Sequence, residues 1–414
     1  MFWWENNFLK AKEGKLYIGD RKATQIAEEY GTPLYVYSRQ QLLSNYRFLL
    51  ESFSKHTSLE TRICYAMKAN AHPGLLSALK DEGAWIDAVS PGEVKTALDV
   101  GFPGRRILFT GTSVSIQDLK QVFEQKDVIV TIDAHEQLEL MKEVRDLLSS
   151  SLAIKVAIRW NPGVGRGFHP RVITAGKKST DGTPIKFGIE EERVIPTFAK
   201  AVEYGFKPVG FHQHLGSGWV RQDFQDVMGV VDKMIDKASE LQKAGFTVEF
   251  LDFGGGFGPQ YSEEQEVFPV QDYVESIYQR IAQSNLDIQA IAIEPGKYLV
   301  GDVGVLLIRV EYMKTSYGNL FACVNAGTFN TVPRPAIYTQ AQHQILNCSN
   351  VFSENMEKIT VAGNLCETGD VFGKEIPMPV PKKGDILALL CAGAYCRSMA
   401  SHFNLRGIPE EVIL

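Results

Sequence analysis

From residue 60 to residue 296 short β-rich apolar runs alternate with longer stretches of helical periodicity, and this alternation constrains the fold more than any other feature. The runs read RICYAMK, AWIDAVS, RILFTG, VIVTID, IKVAIRWN, PVGFHQHLG, VEFLDFGGG and IQAIAIEPG. Amphipathic segments such as HPGLLSALKDEG, SIQDLKQVFEQ and DYVESIYQRIAQS lie between them. Strands apolar on both faces, each followed by a crossover helix, imply a parallel sheet. Eight of them favour a closed barrel over an open doubly wound sheet. After Gly296 the rhythm changes to β-rich runs (GVLLIRVEYMKT, NLFACVNA, KITVAGNLC, DILALLCAG) broken by Gly, Pro and Asn. The expected fold class is therefore α/β: a (β/α)8 TIM-type barrel over 39–296, and a mostly antiparallel β domain from 297–414. Residues 1–38, which include KLYIGD and TPLYVYS, are expected to join that domain.

Composition narrows the function classes. A chain of 414 residues with a formal net charge of -6 lacks the basic balance of a general nucleic-acid binder. No apolar stretch is long enough to span a bilayer, and the first residues, MFWWENN, carry no basic segment of a signal peptide. The six cysteines are scattered without a Cys-x-x-Cys pair, as expected of free thiols in a reducing compartment. The expectation is a cytoplasmic enzyme acting on a small molecule, with no nucleic-acid or membrane partner and no metal.

Chemistry in such a barrel gathers at the C-terminal ends of the strands. Those ends carry Lys68, Asp87 with Ser90, Arg159 with Asn161, His214 with Ser217, Gly254-Gly255-Gly256, and Glu294. Each has a structural alternative: a strand-end Lys is usually solvated, and a lone His is usually a satisfied structural residue. Their recurrence at equivalent positions is what points to a site. The run LDFGGGFG lacks G-x-G-x-x-G spacing and the acidic residue of a dinucleotide fold, which argues against a nicotinamide dehydrogenase. Bare backbone N–H groups in such a turn still suit a phosphate, although a tight turn without ligand reads the same way.

Seven motifs then occur in order: YAMKAN (65–70), HQHLGSG (212–218), DFGGGFG (252–258), EPGKYLVG (294–301), RPAIY (334–338), CETGD (366–370) and GAYCRSMA (393–400). Together they resemble the fold-type III pyridoxal-phosphate decarboxylases, which share the alanine-racemase-like fold, and among these the diaminopimelate decarboxylases. The resemblance implies pyridoxal 5'-phosphate as cofactor, with Lys68 forming the Schiff base to it and His214 stacking on its ring. It implies Ser217, Gly254, Gly255, Gly256 and Tyr395 at the phosphate with Gly296 nearby, and Asp87 and Arg159 supporting the ring and Lys68. Glu294 would face the pyridine nitrogen and keep it protonated, which favours loss of carbon dioxide over racemisation.

For the substrate, the resemblance implies Arg334 and Tyr338 at a far carboxylate, Glu367 at a far amine, Lys297 and Tyr395 nearby, and Cys366 as proton donor. Cys366 and Glu367 would reach into the neighbouring subunit of a homodimer with shared active sites. The implied reaction converts meso-2,6-diaminopimelate to L-lysine and carbon dioxide. The chain departs from the family pattern at Lys297, where Arg is usual, and at Thr368, where Ser is usual. It also carries extra residues KSTDGTP (178–184) and stops at IPEEVIL, short of the tail the resemblance implies. Lys297 keeps open a related decarboxylase for D-ornithine, D-lysine, carboxynorspermidine or a secondary-metabolite intermediate. A non-catalytic cofactor-binding regulator is the remaining alternative, and retention of Lys68, Glu294, Cys366 and Tyr395 opposes it.

Overall fold

A computed structural model describes residues 2–54, 59–148 and 154–414. The chain divides into two compact units, one of residues 46–258 with 267–296, the other of residues 1–45, 259–266 and 297–414.

The first unit is the expected barrel. Its strands are β1 (Glu60–Ala66), β2 (Trp85–Ala88), β3 (Ile107–Phe109), β4 (Ile129–Ile132), β5 (Lys155–Arg159), β6 (Lys207–His212), β7 (Phe250–Asp252) and β8 (Ala290–Ile293). Each pairs in parallel with the next, and β8 closes on β1 with Ala290 opposite Glu60 and Ile293 opposite Ile63. Every one of the eight apolar runs supplies one strand. Inside the barrel Cys64, Leu108, Ile129, Ala157, Val209, Phe250, Ala290 and Ala292 form one buried cluster. Residues of different bulk fill this interior, so it is a packed core rather than a pore. The Arg62 guanidinium lies over the rings of Trp85 and Phe250, its carbon 4.5 and 5.0 Å from their centroids.

Local signals start and stop the crossover helices. Ser90 caps Pro91–Val100 by accepting from the Glu93 N–H, the Glu93 carboxylate accepts from Val89, and Gly101 ends the helix at φ 98°. Ser115 and Asp118 form a reciprocal capping box at the start of Ile116–Phe123. Ser90 is thus a helix cap. Asn161 braces a loop: its amide donates to Gly176 and Phe187 carbonyls, and its oxygen accepts from Gly163 and Gly176. The extra residues 178–184 form a small exposed hairpin, with Lys178 bridged to Pro184 and the Ser179 N–H donating to Thr183. That is a surface loop.

The second unit is built on the long strand Gly304–Ser316, which pairs antiparallel with Leu34–Tyr37, Asn319–Val324 and Ile386–Leu389. TPLYVYS thereby joins this sheet, while KLYIGD sits in a separate three-stranded sheet of the same unit. The sheet is more mixed than expected, because Asn319–Val324 pairs in parallel with Glu357–Ala362 and Leu34–Tyr37 pairs in parallel with Glu410–Ile413. Its core gathers Trp4, Phe8, Leu16, Ile26, Val36, Val305, Leu307 and Leu390 with their neighbours. Among the described residues no helix is long and apolar enough to cross a membrane.

Candidate active site

The C-terminal ends of β1, β2, β5, β6, β7 and β8 converge on one charged cluster. Lys68 sits in the short turn Met67–Ala69 after β1, braced by the Tyr65 hydroxyl donating to the Asn70 carbonyl at 2.8 Å. Its Nζ lies 2.6 Å from Oδ2 of Asp87, which is fully buried at the end of β2 and also accepts from the Thr110 hydroxyl. Burial, then the field of Glu294, raises the Asp87 carboxyl above its usual range, while Lys68 pulls the other way. Lys68 and Asp87 are therefore held as one unit.

Glu294, which directly follows β8, is 5% exposed in its residue surface yet ionised. Burial works against its charge, but the charge and hydrogen bond of His212, then the charge of Lys68, overcome it and hold the carboxyl at about 2. His212 Nε2 is 3.3 Å from Glu294 Oε2, and His214 Nδ1 is 4.0 Å from the same oxygen. Burial disfavours a proton on His212 too, yet Glu294 and then Asp252 leave its affinity raised. Asp252 is pushed to about 8 by burial and by Glu294. An imidazole of raised proton affinity, a carboxyl held low and a carboxyl held high thus share one buried volume. Sequence reasoning missed His212 and Asp252. The available signal was a polar side chain closing an otherwise apolar strand.

His212, Asp252 and Glu294 are also the one set among the described residues with metal-ligand proximity, their donor atoms lying within 4.8 Å of one another.

His214 accepts from the Gly255 N–H through Nδ1 at 3.1 Å. Burial first, then Arg159 and Lys68, lower its proton affinity to about 3 against the pull of Glu294, so the ring is neutral and fixed in orientation. The Gly254 N–H donates to Asp252 Oδ1 at 2.9 Å. These two amides are thus committed within the turn. The glycines are needed on steric grounds: a Cβ on Gly254 (φ +66°) would lie 2.5 Å from the Gln213 carbonyl oxygen, and one on Gly255 2.1 Å from that of Glu294. At Gly256 (φ +141°) it would lie 2.2 Å from the Trp219 indole, itself packed on Phe268 with ring centroids 5.4 Å apart. Gly296 is similarly tight against Ala66, with 3.1 Å to its Cβ. Ser217 lies half-buried in the same loop region, its carbonyl accepting from Phe168. Arg159, 7% exposed, is 3.5 Å from Asp133 and lies over the Phe187 ring at 4.6 Å.

This cluster fits pyridoxal phosphate. It offers an amine at a strand end, a ring of fixed orientation, glycines at close approach, and Glu294 Oε1, a buried acceptor atom with no hydrogen-bond partner. A buried carboxylate oxygen held ionised is what a protonated ring nitrogen requires.

The remaining expected residues lie in the second unit. Lys297 and Arg334 are buried at 5% and 3% exposure. Burial, then Arg334, lowers the Lys297 amine well below its ordinary value. The Tyr338 N–H donates to the Arg334 carbonyl at 2.7 Å. Tyr395 is half-buried with a left-handed backbone at φ 55°, uncommon for a non-glycine residue. Cys366 and Glu367 are exposed on a loop organised by buried Asp370, which accepts from the N–H groups of Thr328 (2.6 Å) and Leu365 (2.7 Å).

Comparison with known proteins agrees with this chemistry. The pyridoxal-binding domain of pyridoxal-dependent decarboxylases matches residues 43–301. The diaminopimelate decarboxylase of Methanothermobacter thermautotrophicus is 39% identical over 407 residues, covering 97% of this chain and 91% of that protein. A diaminopimelate decarboxylase from M. jannaschii, crystallised with L-lysine, superposes with a TM-score of 0.89 at 30% identity, over 99% of this chain and 93% of that one. The Helicobacter pylori enzyme, also with L-lysine, gives 0.85 at 29% identity, over 94% and 93%. The matched domain contains Lys68, His214 and Glu294, and likeness of this kind along nearly the whole length makes this chain a member of the pyridoxal-dependent decarboxylase family.

Proposed function

We propose that this chain decarboxylates meso-2,6-diaminopimelate at its D-centre, giving L-lysine and carbon dioxide, with pyridoxal 5'-phosphate held by the barrel residues. The observation that carries the chemistry is the buried Glu294 carboxyl, paired with His212 through one oxygen and unpartnered at the other. The relatives' substrate and their bound L-lysine carry the choice of amino acid.

Bound pyridoxal phosphate supplies an electron sink for the pair left when carbon dioxide departs. The chain's own residues set the conditions for it. Lys68 Nζ, 2.6 Å from Asp87, is an amine whose proton has an acceptor at hand. Glu294 would supply the negative charge that a protonated ring nitrogen requires, and His212, 3.3 Å from its Oε2, helps to hold that charge. His214, neutral and anchored by Gly255, offers a flat face that excludes water. In this reading Arg334 and Tyr338 bind the substrate's distant carboxylate, Arg334 offering a fork of donors, with Lys297 and Tyr395 nearby. Glu367 takes the distant amine and Cys366 returns a proton. The exposure of Cys366 and Glu367 suits residues that act on a partner subunit of a homodimer. The working compartment in this reading is the cytoplasm.

Purified protein with added pyridoxal phosphate should release carbon dioxide and L-lysine from meso-diaminopimelate. D-Lysine, D-ornithine and carboxynorspermidine, run in parallel, should turn over poorly. Turnover confined to one of these would move the substrate assignment and leave the chemistry.

A further inference from the structure

Arg334 is held in an unusual way. His343, 5% exposed, stands between it and the backbone: Nδ1 lies 2.9 Å from the Leu390 carbonyl oxygen, and Nε2 lies 3.1 Å from Arg334 Nη1. A carbonyl can only accept, so Nδ1 carries the hydrogen. A guanidinium can only donate, so Nε2 must present a lone pair. The two partners together select one neutral tautomer. Tyr261 completes the mount, its ring centroid 4.7 Å below the Arg334 guanidinium carbon and its plane at 88° to the His343 ring. The strand position is firm, because Leu390 also donates its N–H to Gln344, the next residue after His343.

We infer that His343 is a positioning residue for substrate selection, a neutral acceptor that aims the Arg334 guanidinium at a carboxylate without cancelling its charge. The inference rests on the reading of Arg334 as the binder of the distant carboxylate. A carboxylate at the position of His343 would orient Arg334 equally well. It would also neutralise it and compete with the ligand. An imidazole orients it without adding a negative charge that would compete with the substrate. Burial, and then Arg334 itself, push the His343 proton affinity down to about 3, which agrees with a neutral ring throughout the working pH range.

Two amides separate the contacts. Asn places its nitrogen where Nδ1 lies and so keeps the bond to Leu390, while Gln reaches the position of Nε2 and can accept from Arg334. The holoenzyme variants His343→Gln, His343→Asn and His343→Glu are assayed on meso-diaminopimelate and on D-lysine, which lacks the second carboxylate. We expect KM for diaminopimelate within about threefold of the parent for Gln, raised roughly 10- to 100-fold for Asn, and raised at least as much for Glu, with kcat little changed. Turnover of D-lysine, however slow, should not distinguish the three. Equal damage by Asn and Gln, or equal loss on both substrates, would mean a packing role and overturn the inference. A parent-like KM in His343→Glu would overturn its neutral-acceptor part. Side-chain 15N shifts of the unsubstituted protein test the tautomer without any substrate. Hydrogen on Nε2 ends the proposal. Hydrogen on Nδ1 together with no turnover of diaminopimelate keeps the mount and rejects the substrate reading instead.

Discussion

Replacing Glu294 by Gln keeps the shape of the side chain and removes one buried negative charge. At the observed 3.3 Å between His212 Nε2 and Glu294 Oε2, an effective dielectric near 20 gives an attraction of about 5 kcal/mol, equal to roughly 3 to 4 pKa units. Burial alone would take the proton off His212, and Asp252, itself neutral below about 8, is a poor substitute for Glu294. At pH 6.5 His212 should therefore be more than half protonated in the parent and neutral in Glu294→Gln. Histidine-selective NMR, assigned with a His212→Gln control, reads this directly. Stability carries a second signature. The carboxyl at about 2 instead of its ordinary 4.5 contributes stability that is complete above pH 4.5 and lost as pH falls through 2, in total roughly 3 kcal/mol. That acid limb should shrink in the variant. Decarboxylation should fall about 100- to 1000-fold, the usual cost of one preorganised electrostatic partner. A His212 still protonated at pH 6.5 in Glu294→Gln would refute the reasoning, because no other group named around it supplies a comparable field.

Three further outcomes are expected. Lys68→Ala should leave a folded protein that releases no carbon dioxide from any substrate in the panel, and residual turnover would remove Lys68 from its assigned role. Gly255→Ala puts a methyl 2.1 Å from the Glu294 carbonyl oxygen; chemical denaturation should show a loss of about 1–3 kcal/mol, with weaker cofactor retention, and an unchanged midpoint would contradict the steric argument. Asp252→Asn keeps the bond from the Gly254 N–H but cannot ionise. Because Asp252 titrates near 8 when folded and near 3.8 when unfolded, the parent loses stability as pH rises between those values, and its melting temperature should fall behind that of Asp252→Asn over the same interval. Parallel curves from pH 4 to 9 would show that the acid is ordinary.

The barrel was legible because strand and helix periods differ, and each of the eight apolar runs was long enough to declare itself. The second sheet was less so. Alternation in NLFACV and KITVA marks them as strands, but nothing local records that Leu320 lies beside Ile359 in parallel, since strand direction belongs to the connection and not to the pleat. The site followed the same division. Lys68, His214 and Glu294 announced themselves by position at strand ends, and so did Ser90 and Asn161, which cap a helix and brace a loop instead. A strand-end polar residue is exposed to either use, and only its partners decide.

For a buried polar residue partners are everything, because its protonation state is a property of its neighbours. His212 and His214 stand two residues apart in one motif, yet Glu294 raises the first above its ordinary value while burial takes the second down to about 3. His343 carries the point further. It sits in AQHQILN with no motif to mark it, nine residues from the arginine it supports. Its neutrality follows from one carbonyl donated to and one guanidinium accepted from, forty-seven residues away in one case and nine in the other. Composition can say that a histidine is present, and periodicity can say that it is buried. Which of its nitrogens holds the hydrogen is decided by what the fold brings within three ångströms, and that choice determines whether it supplies charge or only orientation.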